Sequence, residues 1–438
     1  MGSTSASGAG AAAAASWDEA RARAALLSIW QAGLAAADPL LCLPRHLPPP
    51  PPGRIIVVGA GKAAAKMALA VERAWAGAEL SGLVVAPYGA DLPDPPPRRR
   101  IALRFASHPL PDAAGAAAAA EMLALVRGLS PQDLVLALIS GGGSALTTLP
   151  APGLTLADLI AVNRELLRCG APIGAMNCLR KHLSAFAGGR LALAAHPARV
   201  LTLAISDVPG DDPATIASGP TVADATTFAE AREIVARYGL ELPPAVAAHL
   251  ARAEDETPKP GDPRLARAEF RLIATPMMAL EAMAEEARRH GLRPLILGDA
   301  LEGEAAALGA WLAHRALALR GGEPCVLLSG GETTVTLPRE ASGRGGRNLE
   351  CLLGMAIALD GAPGIFAFCA DSDGRDGNSE AAGALLFPDT LLRAGGDARA
   401  LLAAHRSHDV FAAAGTLLVT GPTLTNVNDL RAVIVTPQ

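Results

Sequence analysis

Two hydrophobic patterns alternate along this chain. Trp17–Ala37 spaces its apolar residues as an amphipathic helix, and Pro48–Pro52 follows as a stiff spacer. Beyond the spacer, short apolar runs trade places with segments of helical period. Arg54–Val58 is a short β-branched run and Lys62–Ala76 is helical. Leu83–Ala86 and Ile101–Phe105 read as strands, Asp112–Arg127 as a helix, and Leu134–Ile139 as an apolar run that stops at glycines. Leu156–Cys169 and Ile173–Phe186 are helical, Val200–Ile205 is strand-like, and Thr227–Tyr238 and Pro244–Arg252 are helical again. Uninterrupted apolar strands alternating with helices predict βαβ units and a parallel sheet covered on both faces.

The charged, proline-rich stretch Glu254–Pro263 interrupts this order and is expected to be a linker. A second alternation then begins. Arg271–Ala274, Pro294–Leu297, Cys325–Leu328, Ile365–Ala370, Thr416–Val419 and Ala432–Val435 are the predicted strands. Met277–His290, Glu302–Arg320 and Asn348–Leu359 are the predicted helices. The expected division is a tail at residues 1–16, an N-terminal domain at 17–263 and a C-terminal domain at 264–438. The two halves share one device, an apolar strand running into Ser-Gly-Gly, at Ser140 and again at Ser329.

Composition narrows the function classes. A chain of 438 residues exceeds what one core usually serves, and half of its residues are apolar. A net charge of −5 with only 3% aromatic residues disfavours nucleic-acid binding. Six scattered cysteines form no C-x-x-C pair, so reduced, mostly buried thiols are expected rather than zinc or disulfides. Residues 1–15 lack the basic start and apolar stretch of a signal peptide, and the long uncharged windows are broken by Gly, Pro, Ser and Thr. A cytoplasmic monomer or homodimer is the expectation. Lysine is rare: only Lys62, Lys66, Lys181 and Lys259 accompany the arginines, a weak pointer to sites that need a compact ammonium.

Ligands of parallel α/β sheets bind beyond the carboxyl ends of strands. Five loops stand at such places. Gly59-Ala60-Gly61-Lys62 opens a helix, where amides and the helix dipole favour an anion. It is not a Walker A loop, because Ile56 and Ala63 hold the diagnostic positions. It lacks the acid that binds ribose in dinucleotide folds, since Ala86 and Pro87 end the next strand. Ser140-Gly141-Gly142-Gly143-Ser144 can form a concave nest of amides, with two serines as further donors. Asp207, after a buried strand, suits a general base or a magnesium ligand, and equally a helix cap or turn.

The fourth loop joins Ser329-Gly330-Gly331-Glu332-Thr333 to Gly343-Arg344-Gly345-Gly346-Arg347-Asn348, whose arginines suit phosphate. The fifth is Asp371-Ser372-Asp373-Gly374-Arg375-Asp376-Gly377. It fails as an EF-hand, with Arg375 fifth and Ala382 twelfth, but magnesium needs only one or two carboxylates beside substrate phosphates. The nine histidines show no metal spacing, and His182, beside Arg180 and Lys181, is a candidate for helping to hold an anion.

Taken in order, these loops resemble the type II glycerate kinases, the MOFRL family, from about Ala20 to the C-terminus. The resemblance rests on Val58–Ala63, Leu138–Ala145, Ile205–Val208, Ala217–Thr221, Ser329–Thr334, Gly343–Asn348, Asp373–Gly377 and Thr423–Asp429. It implies an α/β fold of two domains, an N-terminal Rossmann-like doubly wound sheet and a smaller C-terminal α/β domain, with the active site in the cleft between them. It also implies transfer of the ATP γ-phosphoryl group to the 2-hydroxyl of D-glycerate, with Mg²⁺. The family pattern gives weight to Lys62 and Arg347, which with Asp207 are the expected catalytic residues. Gly59, Gly61, Ser140, Gly141, Gly142, Gly143, Ser144, Asp373 and Asn426 are expected to hold the nucleotide, and Asp207 and Asp373 the metal. The rival classes are an NAD(P)H-dependent hydroxypyruvate reductase and a non-catalytic metabolite-binding protein.

Overall fold

A computed structural model describes residues 17–92, 99–338 and 343–437. The expected tail at 1–16 lies outside the described residues. Two six-stranded sheets organise the chain. The first contains β1 (Ile55–Ala60), β2 (Leu80–Pro87), β3 (Ile101–Ala106), β4 (Leu134–Ile139), β5 (Arg199–Ile205) and β6 (Ala268–Ala274), in the order β3-β2-β1-β4-β5-β6. Every pairing in it is parallel. All residues of β1 and β4 are buried, as strands covered by helices on both faces require.

The second sheet departs from the parallel pattern. It contains β7 (Arg293–Gly298), β8 (Cys325–Gly331), β9 (Ile365–Asp371), β10 (Gly383–Leu386), β11 (Leu417–Leu418) and β12 (Asp429–Val435), in the order β11-β10-β9-β12-β8-β7. Only β7 and β8 run parallel; the C-terminal strand β12 inserts between β8 and β9, antiparallel to both. β10 and the short helices Thr390–Ala394, Ala398–Ala403 and Ser407–Ala413 carry too few periodic positions to be read from sequence.

Glu254–Pro263 is not a free spacer. Arg190 Nη1 holds Asp255 Oδ2 at 2.5 Å, Thr257 Oγ1 donates to Asp224 Oδ2 at 3.0 Å, and Glu256 Oε2 accepts from Phe228 N at 3.0 Å. These bonds pin the segment to a lobe of helices Leu156–Arg168, Ile173–His182, Phe228–Tyr238 and Pro244–Arg252, which has its own apolar core. Nor do the sheets divide at Pro263, because β6 lies beyond it and pairs with β5.

The first helix, Glu19–Ala36, starts on Asp18, whose carboxylate accepts from Arg21 N. It packs against helix Pro276–Arg289 and β12. Trp30 stands edge-on to Phe368 with ring centroids 5.5 Å apart. One apolar cluster consequently joins Val57, Leu136 and Leu203 of the first sheet to Phe368 and Ile434 of the second through Leu26 and Met283. Among the described residues, no single helix is long and apolar enough to cross a membrane.

Candidate active site

Strand order reverses between β1 and β4, the place where open α/β sheets leave a crevice. Two of the expected loops meet there and are stitched together. Ser140 N donates to Ala60 O at 3.0 Å, Lys62 N to Gly141 O at 2.9 Å, and Ala63 N to Ser140 Oγ at 3.0 Å. Gly61 N and Ala64 N also find backbone carbonyls, at 3.1 Å each. The amides expected to cradle an anion at Gly59–Lys62 are thus used within the protein. Gly59 stays inside β1, packed on Leu138, and what this loop delivers to the crevice is the Lys62 side chain.

The Ser140–Ser144 loop is different. Among the described residues, the amides of Gly141 and Gly142 meet no acceptor, so two N–H donors remain for a ligand. A side chain on Gly141 would strike the Asp207 carboxylate and the Asn426 amide. Gly142 holds a φ of +82° with the His108 ring against it, which again selects glycine. Ser140 is buried under the Gly61 turn, and Ser144 Oγ lies 2.8 Å from Ser218 Oγ.

The second sheet closes the crevice from the opposite side. Lys62 Nζ reaches Asp373 Oδ2 at 2.6 Å. Asn426 Nδ2 donates to Asp207 Oδ2 and Asn428 Nδ2 to the Asp207 carbonyl, both at 2.6 Å. Burial disfavours the Lys62 ammonium, but the Asp373, Asp371 and Asp207 carboxylates outweigh it and hold its pKa above the ordinary lysine value. Withdrawal from water pushes the Asp207 carboxyl up to about 6, with Lys62 partly opposing the rise.

Arg347 heads helix Arg347–Leu359, and its whole fork is occupied. Nε donates to Asp429 Oδ1 at 2.9 Å, Nη2 to Asp371 Oδ2 at 2.8 Å, and Nη1 to Glu332. Burial works against the guanidinium, and Asp429, Asp371 and Glu332 more than compensate, so its pKa rises further. Three carboxylates thus already hold the arginine that the sequence marked as suited to phosphate. Arg431, fully buried, takes the other Asp429 oxygen at 2.6 Å.

The three aspartates of the fifth loop do separate jobs. Asp371 clamps Arg347, Asp373 faces Lys62, and Asp376 accepts from Asn348 N at 3.0 Å and Leu349 N at 2.9 Å, substituting for a helix cap. Burial raises the Asp376 carboxyl to about 7 against those donors. Among the described residues, no three or more His, Cys, Asp or Glu side chains are grouped to hold a metal by themselves. A two-carboxylate set of Asp207 and Asp373 fits magnesium only where substrate phosphates complete the shell.

The structure thus brings Lys62, Gly141, Gly142, Asp207, Asp373 and Asn426 to one crevice, with Arg347 behind it. His182 does not join them: Nδ1 bonds the Cys178 carbonyl and Nε2 bonds Glu256 Oε1, both at 2.8 Å, inside the helical lobe. Lys181 is buried on Asp224, Lys66 pairs with Asp38, and Lys259 with Glu256, so all four lysines are ion-paired. His108 went unread in the sequence; its one signal is its place just past the end of β3.

Residues 25–251 match a domain of unknown function, DUF4147, and residues 325–429 match the MOFRL family. A protein of Agrobacterium vitis named "Putative hydroxypyruvate reductase" is 53% identical over 96% of both chains. The "Glycerate 2-kinase" of Pyrococcus horikoshii is 38% identical over 88% of both chains. The crystal structure of a glycerate kinase from Thermotoga maritima superposes with a TM-score of 0.86 at 34% identity, covering 96% of this chain and all of the other. With both family matches in chain order and the two-sheet architecture of a glycerate kinase, the chain belongs to the MOFRL family of type II glycerate kinases.

Proposed function

We propose that this protein transfers the γ-phosphoryl group of ATP to the 2-hydroxyl of D-glycerate, giving 2-phosphoglycerate and ADP, in the cytoplasm. The observation that carries the reading is the crevice itself. It sets free loop amides, a cross-cleft ammonium and a carboxylate of raised pKa side by side. Phosphoryl transfer is mostly positioning and charge neutralisation. The Gly141 and Gly142 amides receive phosphate oxygens, and Lys62 neutralises charge spreading over the transferred group. Asp207, with a pKa of about 6, accepts the proton of the attacking hydroxyl near neutral pH. Asp373 would hold Mg²⁺, whose chemistry there would be to shield the charge of the donor phosphates.

Arg347 enters by exchange. Of its three carboxylate partners Asp429 and Asp371 are buried, whereas Glu332 is 52% exposed. The glycerate carboxylate takes the place of Glu332 on Nη1 and keeps the fork saturated.

The name of the Agrobacterium relative favours a second reading, reduction of hydroxypyruvate. Against it, β2 ends at Pro87 with no acid to hold a ribose. The test is to incubate the protein with D-glycerate and Mg·ATP, follow ADP, and pass the product to enolase without a mutase. ADP release with an enolase signal is expected. NADH loss with hydroxypyruvate and no ADP release overturns the kinase reading in favour of the reductase. Silence in both assays overturns it in favour of a binding protein.

A further inference from the structure

Helix Arg347–Leu359 and β9 are tied at two rungs. The first is the ion pair of Arg347 with Asp371. Cys351 stands four residues beyond Arg347 on the same helix face, and Cys369 two residues before Asp371 on the same strand face. They make the second rung, with Cys369 Sγ 3.9 Å from Cys351 Sγ. Both residues are fully buried. The sheet extends this rung sideways. Arg431 of β12 lies opposite Cys369 on one side and Ser329 of β8 on the other, so the three side chains share the face that the helix covers.

That row contains polar groups with unmet bonds. Among the described residues, Arg431 Nε and Ser329 Oγ find no partner, although both side chains are buried. A buried N–H left without an acceptor is costly, and a thiolate beside it would supply one. The two thiols also differ from others in the core. Burial pushes Cys42 and Cys178 up to about 11. Donation from the Cys369 S–H, with the Arg431 charge, instead holds the Cys351 thiol below its ordinary value against burial, while burial holds Cys369 above. A thiol of lowered pKa touching a second thiol is the arrangement that oxidises to a disulfide.

We propose that Cys351 and Cys369 are an oxidation site, a dithiol that hydrogen peroxide converts to a disulfide and that thereby turns down the crevice through Arg347. The Cys351 thiolate, its proton given to water, attacks a peroxide oxygen; the S–O bond forms, the O–O bond breaks, and hydroxide leaves to take up a proton. The Cys369 sulfur then displaces that oxygen, the S–S bond forms, and water leaves carrying the Cys369 proton. Peroxide gains the two electrons that the sulfurs lose. A disulfide spans only ~2.05 Å, so helix and strand must shift at the second rung. Close packing passes that shift one turn along to Arg347, whose fork is matched to Asp429, Asp371 and Glu332. The oxidation chemistry stands apart from the reaction proposed above; only its effect on turnover rests on the kinase reading.

The test uses the full chain, C351A and C369A, each reduced first and checked by circular dichroism melts. If one alanine variant fails to fold, the other carries the comparison. Each protein is treated with hydrogen peroxide until the part-exposed Cys169 is oxidised, then alkylated, digested and mapped by mass spectrometry. ADP release from D-glycerate and Mg·ATP is followed before treatment, after it, and after dithiothreitol. The wild type is expected to give a Cys351–Cys369 cross-linked peptide lighter by two hydrogens, to lose about tenfold or more in kcat/KM, and to recover with dithiothreitol. The variants should keep their activity. Oxidised Cys169 without the cross-link overturns the proposal, as does a cross-link with unchanged turnover, or a loss that the variants share. Should the reduced wild type release no ADP, the kinase reading falls alone. Amide hydrogen exchange over Arg347–Cys351 then decides: faster exchange in the cross-linked protein upholds the coupling, and equal exchange overturns it.

Discussion

The two Ser-Gly-Gly segments begin alike and end differently. Both follow an apolar strand. β4 stops at Ile139, and Ser140–Gly142 leaves the sheet as a loop that presents two unbonded amides. β8 runs on through Gly331, because β12 arrives antiparallel and pairs Arg431, Leu430 and Asp429 with Ser329, Gly330 and Gly331. Arg431 then takes the carbonyls of Gly330 and Gly331 at 3.1 and 3.4 Å. One segment offers donors to a ligand, and the other spends its acceptors on a buried arginine. The same tripeptide becomes a binding loop or a strand end according to the neighbour strand. A tripeptide motif therefore says less than the topology around it.

Substitutions can break or sharpen that contrast. The largest effect is expected on the donor side of the crevice. Lys62→Ala and Asp207→Asn should each lower kcat by about 10²–10⁴-fold, measured as ADP release, with the melting temperature preserved or raised in Asp207→Asn and lowered in Lys62→Ala, which strips Asp373 of its partner. A variant pair with near-normal turnover would remove these residues from the chemistry. Arg347→Ala should act on both properties. It strands Asp371 without its cation and leaves Asp429 to Arg431 alone, and a cost of about 3–5 kcal/mol in denaturant unfolding is expected beside lost activity. An unchanged unfolding midpoint would show that the acidic wall does not need its arginine.

The glycines give the direct comparison. Gly141→Ala should cost about 10²-fold in kcat/KM, because the new methyl displaces Asp207 and Asn426. Gly330→Ala meets its nearest atoms, backbone of Asp429 and Asp299, at 3.3 and 3.4 Å, and should cost about 1 kcal/mol of stability with KM unchanged. Equal losses of activity at the two sites would dissolve the distinction.

A subtler effect follows from Asp207. As the base, it should give kcat/KM an acidic limb of about tenfold per pH unit below pH 6, flat above. Its folded pKa is raised from 3.8, so between that value and about 6 the folded state binds more protons than the unfolded state. Stability then falls as pH rises through this window. Asp207→Asn should melt higher than the parent above pH 6 and level with it near pH 3.8. A wider gap at low pH would reverse the sign and refute the assignment.

Much of the first sheet was legible because each strand is a short apolar run bounded by glycine, proline or charge. Lys62 and Ser140–Ser144 stood out for the same reason, as polar punctuation at strand ends. The occupancy of Arg347 was not legible. Its local setting, arginine among glycines, suggests an open anion site, but its partners lie 15, 24 and 82 positions away at Glu332, Asp371 and Asp429. The continuation of β8 was hidden likewise, since glycine argues for a turn and the strand that overrides it is the last in the chain. Arg180 sits on a helix whose period is clear, yet periodicity does not say that its cationic face would find amides of Asn163 and Asn177 rather than an acid.

The first helix carries a consequence for how the gene can be cut. Glu19–Ala36 is encoded ahead of every strand of the first sheet, yet it seats on Pro276–Arg289 and β12. A fragment beginning after Pro263 would lack the helix that covers Met283 and Phe368, and its complement would carry that helix with nothing to sit on. Splitting the chain at its most polar stretch therefore yields two sticky pieces. Shuffling, tagging or split-reporter designs should treat the ends of the chain as one inseparable module wrapped around the middle.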